Sequence, residues 1–185
     1  MNSIVNHILI SMPQMKDPLF GNSVIFMCEH DNKGAMGLII NKRFHKKDLN
    51  NIFENIDKNS DGILKDISKI YFGGPILIER GILLHTEKNY SDSSVKISDD
   101  FFISSDKNTL IETMAKKKNT NSRLFLGHAS WSAGQLEREI GNGDWLVQET
   151  SPDFIFNIPH EQIWKLAINS FSIDYSDFAS FGGQA

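Results

Sequence analysis

The 185-residue chain is 40% hydrophobic and 23% charged, an ordinary globular composition, and it is long enough for one domain, residues 1–185, that buries roughly 70% of its unfolded surface. A formal charge of -4 argues against coating nucleic acid through bulk electrostatics, while leaving room for a local basic patch. Cys28 is the only cysteine, so no intrachain disulfide can form and nothing points to an oxidising compartment.

Residues 4–11 suggest a strand that ends before Pro13. No Lys or Arg precedes the short apolar run Ile8–Ile10, so it does not read as a secretory signal, and no apolar stretch reaches the ~18 residues that span a bilayer. A cytoplasmic location is the expectation. Val24-Ile25-Phe26-Met27-Cys28 is a continuous apolar run of strand length, the pattern of a strand covered on both faces. Ala35 to Asn41 is a second strand, and Asp31-Asn32-Lys33-Gly34 between them has hairpin-loop chemistry. Leu49, Ile52, Phe53 and Ile56 recur at helical spacing, and a polar loop follows at residues 59–62. Strands are expected over 67–72 and 76–86, with Gly73-Gly74-Pro75 as the turn or sheet edge between them, because Pro75 has no donor for a ladder.

Residues 90–94 read as loop, with short strands over 95–97 and 101–103. Asp106 suits the N-cap of a helix carrying Leu110, Ile111, Met114 and Ala115 on one face and ending at Lys116-Lys117-Lys118, where cations favour a helix C-terminus. Residues 123–127 are strand-like. Residues 132–140 read as a short helix with Ser132 and Gln135 in capping-box spacing, stopped by Gly141. Strands over 145–147 and 154–156 follow, then a helix from Pro159 to about Asn169, with Pro159 in its first position. Strand pairs dominate and helices arrive singly, unlike the regular alternation of a doubly wound fold. The predicted class is α+β, a mixed, mostly antiparallel, barrel-like β-sheet with peripheral helices.

The segment from Leu124 to Ile140 is the most distinctive. A strand, a Gly-rich turn and a helix would aim backbone N–H groups at an anion, although neither a Walker loop nor G-x-G-x-x-G is present. Glu137 and Glu139 are two apart and cannot share a helix face, whereas Gln135 and Glu139 can. His30, His85 and His128 fall at strand ends or turns, yet no metal-ligand spacing accompanies them, and no metal or cofactor is expected. Cys28, between Met27 and Glu29, has the setting of a small core residue rather than a nucleophile. Trp131, Trp145 and Trp164 are read as core anchors. The run Lys42-Arg43-Phe44-His45-Lys46-Lys47 interleaves an aromatic with cations, so Lys42, Arg43, Lys46 and Lys47 are the candidate nucleic-acid contacts.

With these residues in hand, the chain resembles the YqgE/AlgH family of bacterial proteins from end to end. The matching blocks are Met12-Pro13 with Asp17 and Phe20, Ser23-Val24-Ile25 leading to Glu29-His30, and Gly34-Ala35-Met36-Gly37-Leu38 through Asn41. Further on they are Gly73-Gly74-Pro75, Leu84-His85, Gly127 with Trp131, Gly134-Gln135-Leu136-Glu137 with Glu139-Ile140, and Trp145. Where the family has Gly-Tyr-Ala-Gly-Trp-Gly, this chain carries His128, Ser130 and Ser132; the change matters if the glycines admit a ligand and is tolerable if they only ease a turn. The resemblance implies an α+β fold with a barrel-like mixed sheet and no catalytic residues; some members bear the label of transcriptional regulator through a link to alginate production. No helix-turn-helix pattern accompanies that label here.

The leading expectation is a non-enzymatic cytoplasmic interaction or regulatory protein with a protein partner, weak support for nucleic acid and no membrane. The alternative is a small-ligand binder or enzyme using the Gly-rich turn before Ser132. For either, Asn41, His85, His128, Trp131, Gln135 and Glu139 are the candidate ligand- or partner-binding residues.

Overall fold

The computed structural model describes residues 2–44, 70–88, 94–106 and 121–171. Among these lie nine strands: β1 (His7–Ser11), β2 (Val24–Asp31), β3 (Gly34–Ile39), β4 (Ile70–Phe72), β5 (Ile76–His85), β6 (Val95–Lys96), β7 (Phe102–Ser104), β8 (Ser122–Ser132) and β9 (Trp145–Glu149). Three helices accompany them: α1 (Gln135–Gly141), α2 (Pro152–Asn157) and α3 (His160–Asn169). The helices expected around residues 48–56 and 106–115, and Lys116–Lys118, fall outside the described residues, Asp106 apart.

The strands form one curled half-barrel in the order β6-β7-β5-β8-β3-β2-β1-β9, with β4 paired to β8 off that path. Only the β4–β8 pair is parallel, so the fold is the mixed, mostly antiparallel α+β sheet that the strand-rich sequence predicts. β8 is the shared strand. Its first half pairs with β4 and β5, and its second half pairs with β3. The change of partner falls at Gly127, whose φ of 70° suits glycine, and a Cβ there would overlap the Gly74 carbonyl. The Gly73-Gly74-Pro75 turn and Gly127 thus meet backbone to backbone at the point where the sheet bends.

Alternation along the central strands explains the unbroken apolar runs. Ile8 and Ile10 of β1, and Val24, Phe26 and Cys28 of β2, face one core with Tyr71, Leu84 and Phe125. Leu9, Ile25 and Met27 face a second core with Trp131, Leu136 and Trp145. α2 and α3 cover the first face through Ile155, Ile163, Ala167 and Ile168, and α1 covers the second through Leu136. The β2–β3 hairpin forms as expected, with Asp31 Oδ1 accepting from the Lys33 N–H at 2.7 Å.

Three local expectations are corrected. Residues 154–156 are helical, not strand: Ser151 caps α2 by accepting from the Phe154 N–H at 3.4 Å, and Pro152 occupies the first turn. That start signal outweighs the β-propensity of Phe-Ile-Phe. The helix expected from Ser132 begins instead at Gln135, because β8 runs through Ser132 and Gly134 turns the chain at φ 71°. Pro159 is the N-cap of α3 rather than its first helical residue.

Candidate functional site

Trp131, Gln135 and Glu139 come together; the other candidates do not join them. At the end of β8 the Trp131 indole donates to Glu139 Oε2 at 2.8 Å, and the Trp145 indole, at the start of β9, donates to the same oxygen at 2.9 Å. Gln135 lies one helical turn before Glu139 and donates to Oε1 at 2.9 Å, while its own Oε1 accepts from the Ser132 N–H at 3.0 Å. With Gly134 as the N-cap and Gln135 as the first helical residue, that last bond spans the turn before the helix and is not the capping box that the spacing suggests. Charge-assisted bonds are the stronger kind, so Glu139 ties β8, α1 and β9 into one unit. The two indoles meet edge to face at 6.2 Å. Both Trp residues are the core anchors expected, and this arrangement is a brace for the second core.

Glu137, on the other side of α1, faces His30. The Ile4 N–H donates to His30 Nδ1 at 3.2 Å, which puts the ring proton on Nε2, where it donates to Glu137 Oε1 at 3.0 Å. Its own backbone N–H first, and the His30 ring second, hold the Glu137 carboxyl below the usual range. The two carboxylates therefore face apart, as their spacing requires.

Asn41 closes a loop. Its Oδ1 accepts from the Val24 N–H at 2.8 Å and its Nδ2 donates to the Asn22 carbonyl at 2.9 Å. Beside it, Lys42 Nζ donates to the carbonyls of Leu19 and Gly21 at 2.6 and 3.0 Å. Burial pushes this ammonium below its ordinary pKa, with Asp17 opposing the shift. Asp17 in turn accepts from the Leu19 and Phe20 N–H groups, so the early Met12–Phe20 block serves loop structure. Lys42 thus turns inward, Arg43 Nη2 donates to Tyr71 Oη at 3.1 Å, and Lys46 and Lys47 lie outside the described residues.

His85 belongs to a separate interior group. Its Nε2 meets Ser104 Oγ at 3.0 Å, Ser104 meets Ser94 at 2.7 Å, and the ring stacks on Phe102. Burial lowers its pKa. It pairs with Ser122 at one end of β8, while His128 lies roughly 20 Å further along the same strand at about 3.3 Å per residue. The three histidines do not converge.

His128 lies beside a surface that the sequence reading missed. β5 runs from Ile76 to Gly81 while β8 advances only from His128 to Leu126, so β5 bulges outward. Within the bulge, Leu77 has φ 50°, a left-handed conformation costly for a branched side chain, and Ile76 and Leu77 are 44% and 46% exposed. Burial first, and then the positive charge of Arg80, lower the His128 pKa, while Glu29 opposes them. Met36 pairs with Glu29 on one side and Ser130 on the other; Glu29 and Ser130 are exposed, while Met36 is half-buried against the first core. Ser130 and Ser132 are exposed, and neither adopts a positive φ, so serine is tolerated where the family carries glycine. A signal existed in the sequence: Glu79-Arg80 interrupts the apolar alternation expected of a ten-residue strand directly after Gly73-Gly74-Pro75.

These features define a class: an α+β half-barrel whose shared strand is braced to a short helix through a carboxylate held by two indoles. Residues 8–176 match the family profile described as AlgH-like. A UPF0301 protein of Vibrio parahaemolyticus is 37% identical over 187 residues, covering 99% of this chain and 100% of its own length. One from Buchnera aphidicola is 42% identical over 171 residues, covering 91% and 90%. The solution structure of the AlgH protein from Pseudomonas aeruginosa is similar at a TM-score of 0.73 and 28% identity, across 100% of this chain and 97% of that one. The chain belongs to the YqgE/AlgH (UPF0301) family. No described helix is long and apolar enough to cross a membrane.

Proposed function

We propose that this chain is a cytoplasmic, non-enzymatic interaction protein, acting as one domain, which regulates by engaging a protein partner through the bulge around Ile76 and Leu77. The observation that carries this reading is a strained backbone presenting two adjacent apolar side chains to solvent, beside Glu29, Arg80 and His128. Strain persists where function needs it, and adjacent exposed aliphatics rimmed by charge are the composition of an interface anchor. The partner surface it fits has an apolar pocket bordered by both signs of charge. The Gly-rich turn supports the enzymatic alternative less well, since Glu139 and Gln135 are committed to internal bonds.

A photo-crosslinking residue in place of Ile76, introduced into the full chain in cells, tests the proposal. One discrete protein adduct is expected at position 76, absent from the same probe at the exposed Leu166 and lost on Leu77→Ser. Equal labelling from both positions, or none from 76, overturns it. Retention on DNA at low salt that collapses on neutralising Arg43, Lys46 and Lys47 would make nucleic acid the partner instead.

A further inference from the structure

Tyr71 is buried, yet three cationic or titratable nitrogen groups gather on its ring. The Arg43 guanidinium carbon lies 5.0 Å from the ring centroid and that of Arg123 lies 4.8 Å from it. The His160 ring meets it edge to face at 5.9 Å. Arg123 is locked in place, donating to the carbonyls of Ile40, Phe156 and Ile158 at 3.2, 3.3 and 3.2 Å. Arg43 is exposed, and among the described residues it gives only Nη2, to Tyr71 Oη, so the other donors of its fork have no bond there. His160 Nδ1 meets Glu161 Oε2 at 3.1 Å, so Nε2 points away from that carboxylate.

Among the described residues the charge does not balance. Glu161 is 68% exposed and is the one carboxylate in contact with the group among the described residues. Burial lowers the pKa of Arg123, with Tyr71 opposing the shift and Arg43 adding to it; burial first, then both arginines, lower that of His160 against the pull of Glu161. A chain with a formal charge of -4 has no general basicity to explain this local excess. Lys42, next in sequence, takes no part, because its ammonium donates to Leu19 and Gly21.

We propose that Arg43, Arg123 and His160 around Tyr71 form a binding site for a phosphate-type dianion, held at the exposed Arg43 fork with Arg123 supplying fixed charge beneath. Guanidinium forks match the oxygens of phosphate in pairs, and a fixed second cation favours two negative charges over one. This site is separate from the Ile76–Leu77 surface, so either assignment can fail without the other.

The test is a titration of the full-length, nitrogen-15-labelled protein with inorganic phosphate at constant ionic strength. The guanidinium and imidazole signals of Arg43, Arg123 and His160 are expected to move saturably, with binding about tenfold weaker in Arg43→Gln. Acetate at the same concentration is expected to move none of them. An unsaturable response, an equal response to acetate, or unchanged phosphate affinity in Arg43→Gln overturns the site. Binding of an oligonucleotide with no response to inorganic phosphate also overturns it, in favour of a polyanion surface.

Discussion

Glu139 and Tyr71 each centre a polar cluster, on opposite faces of the same sheet, and the two settle their charge differently. Around Glu139, two indoles and Gln135 bring neutral donors to a single anion, and every strong contact is internal. Around Tyr71, two guanidiniums and an imidazole gather, and among the described residues the one carboxylate in contact is the exposed Glu161, on His160 alone. A satisfied cluster rigidifies the fold. An unbalanced one, kept partly open at Arg43, has capacity left for a partner. The contrast separates the brace from the site by electrostatics alone.

The largest effect should come from Glu139. Glu139→Ala leaves the indole N–H groups of two buried tryptophans without their charged acceptor and should cost roughly 3 kcal/mol, read as a fall in the urea midpoint at constant slope. Glu139→Gln keeps an acceptor and should cost about half as much. If Glu139→Ala leaves the midpoint in place, the cluster is no brace and the comparison fails.

Next come the two arginines, which should behave unlike one another. Arg123→Met releases three carbonyls and should cost about 2 kcal/mol, whereas Arg43→Gln should stay within about 0.5 kcal/mol of the parent. Equal costs would make the Tyr71 cluster a second brace.

Protonation should give a smaller effect than either substitution. Burial holds His85 below its ordinary value of 6.5, and His128 and His160 shift the same way. Below 6.5 the unfolded chain takes up protons that the folded chain still refuses, so the stability these rings confer, complete above that value, is lost as pH falls through their folded-state values. Urea midpoints should decline from about pH 7 to about pH 5, with a shallower decline in His85→Asn. A parent midpoint that rises on acidification in that range contradicts the shifts.

How much of this was legible beforehand follows from range. The β2–β3 hairpin, the two-sided burial of Val24–Cys28 and the facing of Gln135 toward Glu139 follow from local chemistry and residue period, and all three were readable. The bridge from Glu139 to Trp145 depends on β9 returning beside β1, which no spacing announces. The gathering of Arg43, Arg123 and His160 on Tyr71 joins four segments far apart in sequence, so composition showed Arg43 only as part of a basic run. Over residues 154–156 the β-propensity of Phe-Ile-Phe and the Ser151-Pro152 helix start point to different elements, and the start signal prevails.

Leu77 gives the smallest expected effect and the most discriminating one. Its left-handed φ costs a non-glycine residue about 1 kcal/mol, and glycine removes that strain while adding freedom to the unfolded chain, so Leu77→Gly should raise stability by about 0.5 kcal/mol. Leu77→Ala keeps the strain and loses only the exposed side chain, so it should leave the midpoint near that of the parent. Both variants should lose the adduct formed from position 76. A chain that gains stability while losing its partner is the signature of strain retained for binding, and neither outcome should disturb the Glu139 brace or the phosphate response at Arg43. If Leu77→Gly destabilises, the side chain is holding the fold rather than a partner, and the bulge joins Glu139 on the structural side of the comparison.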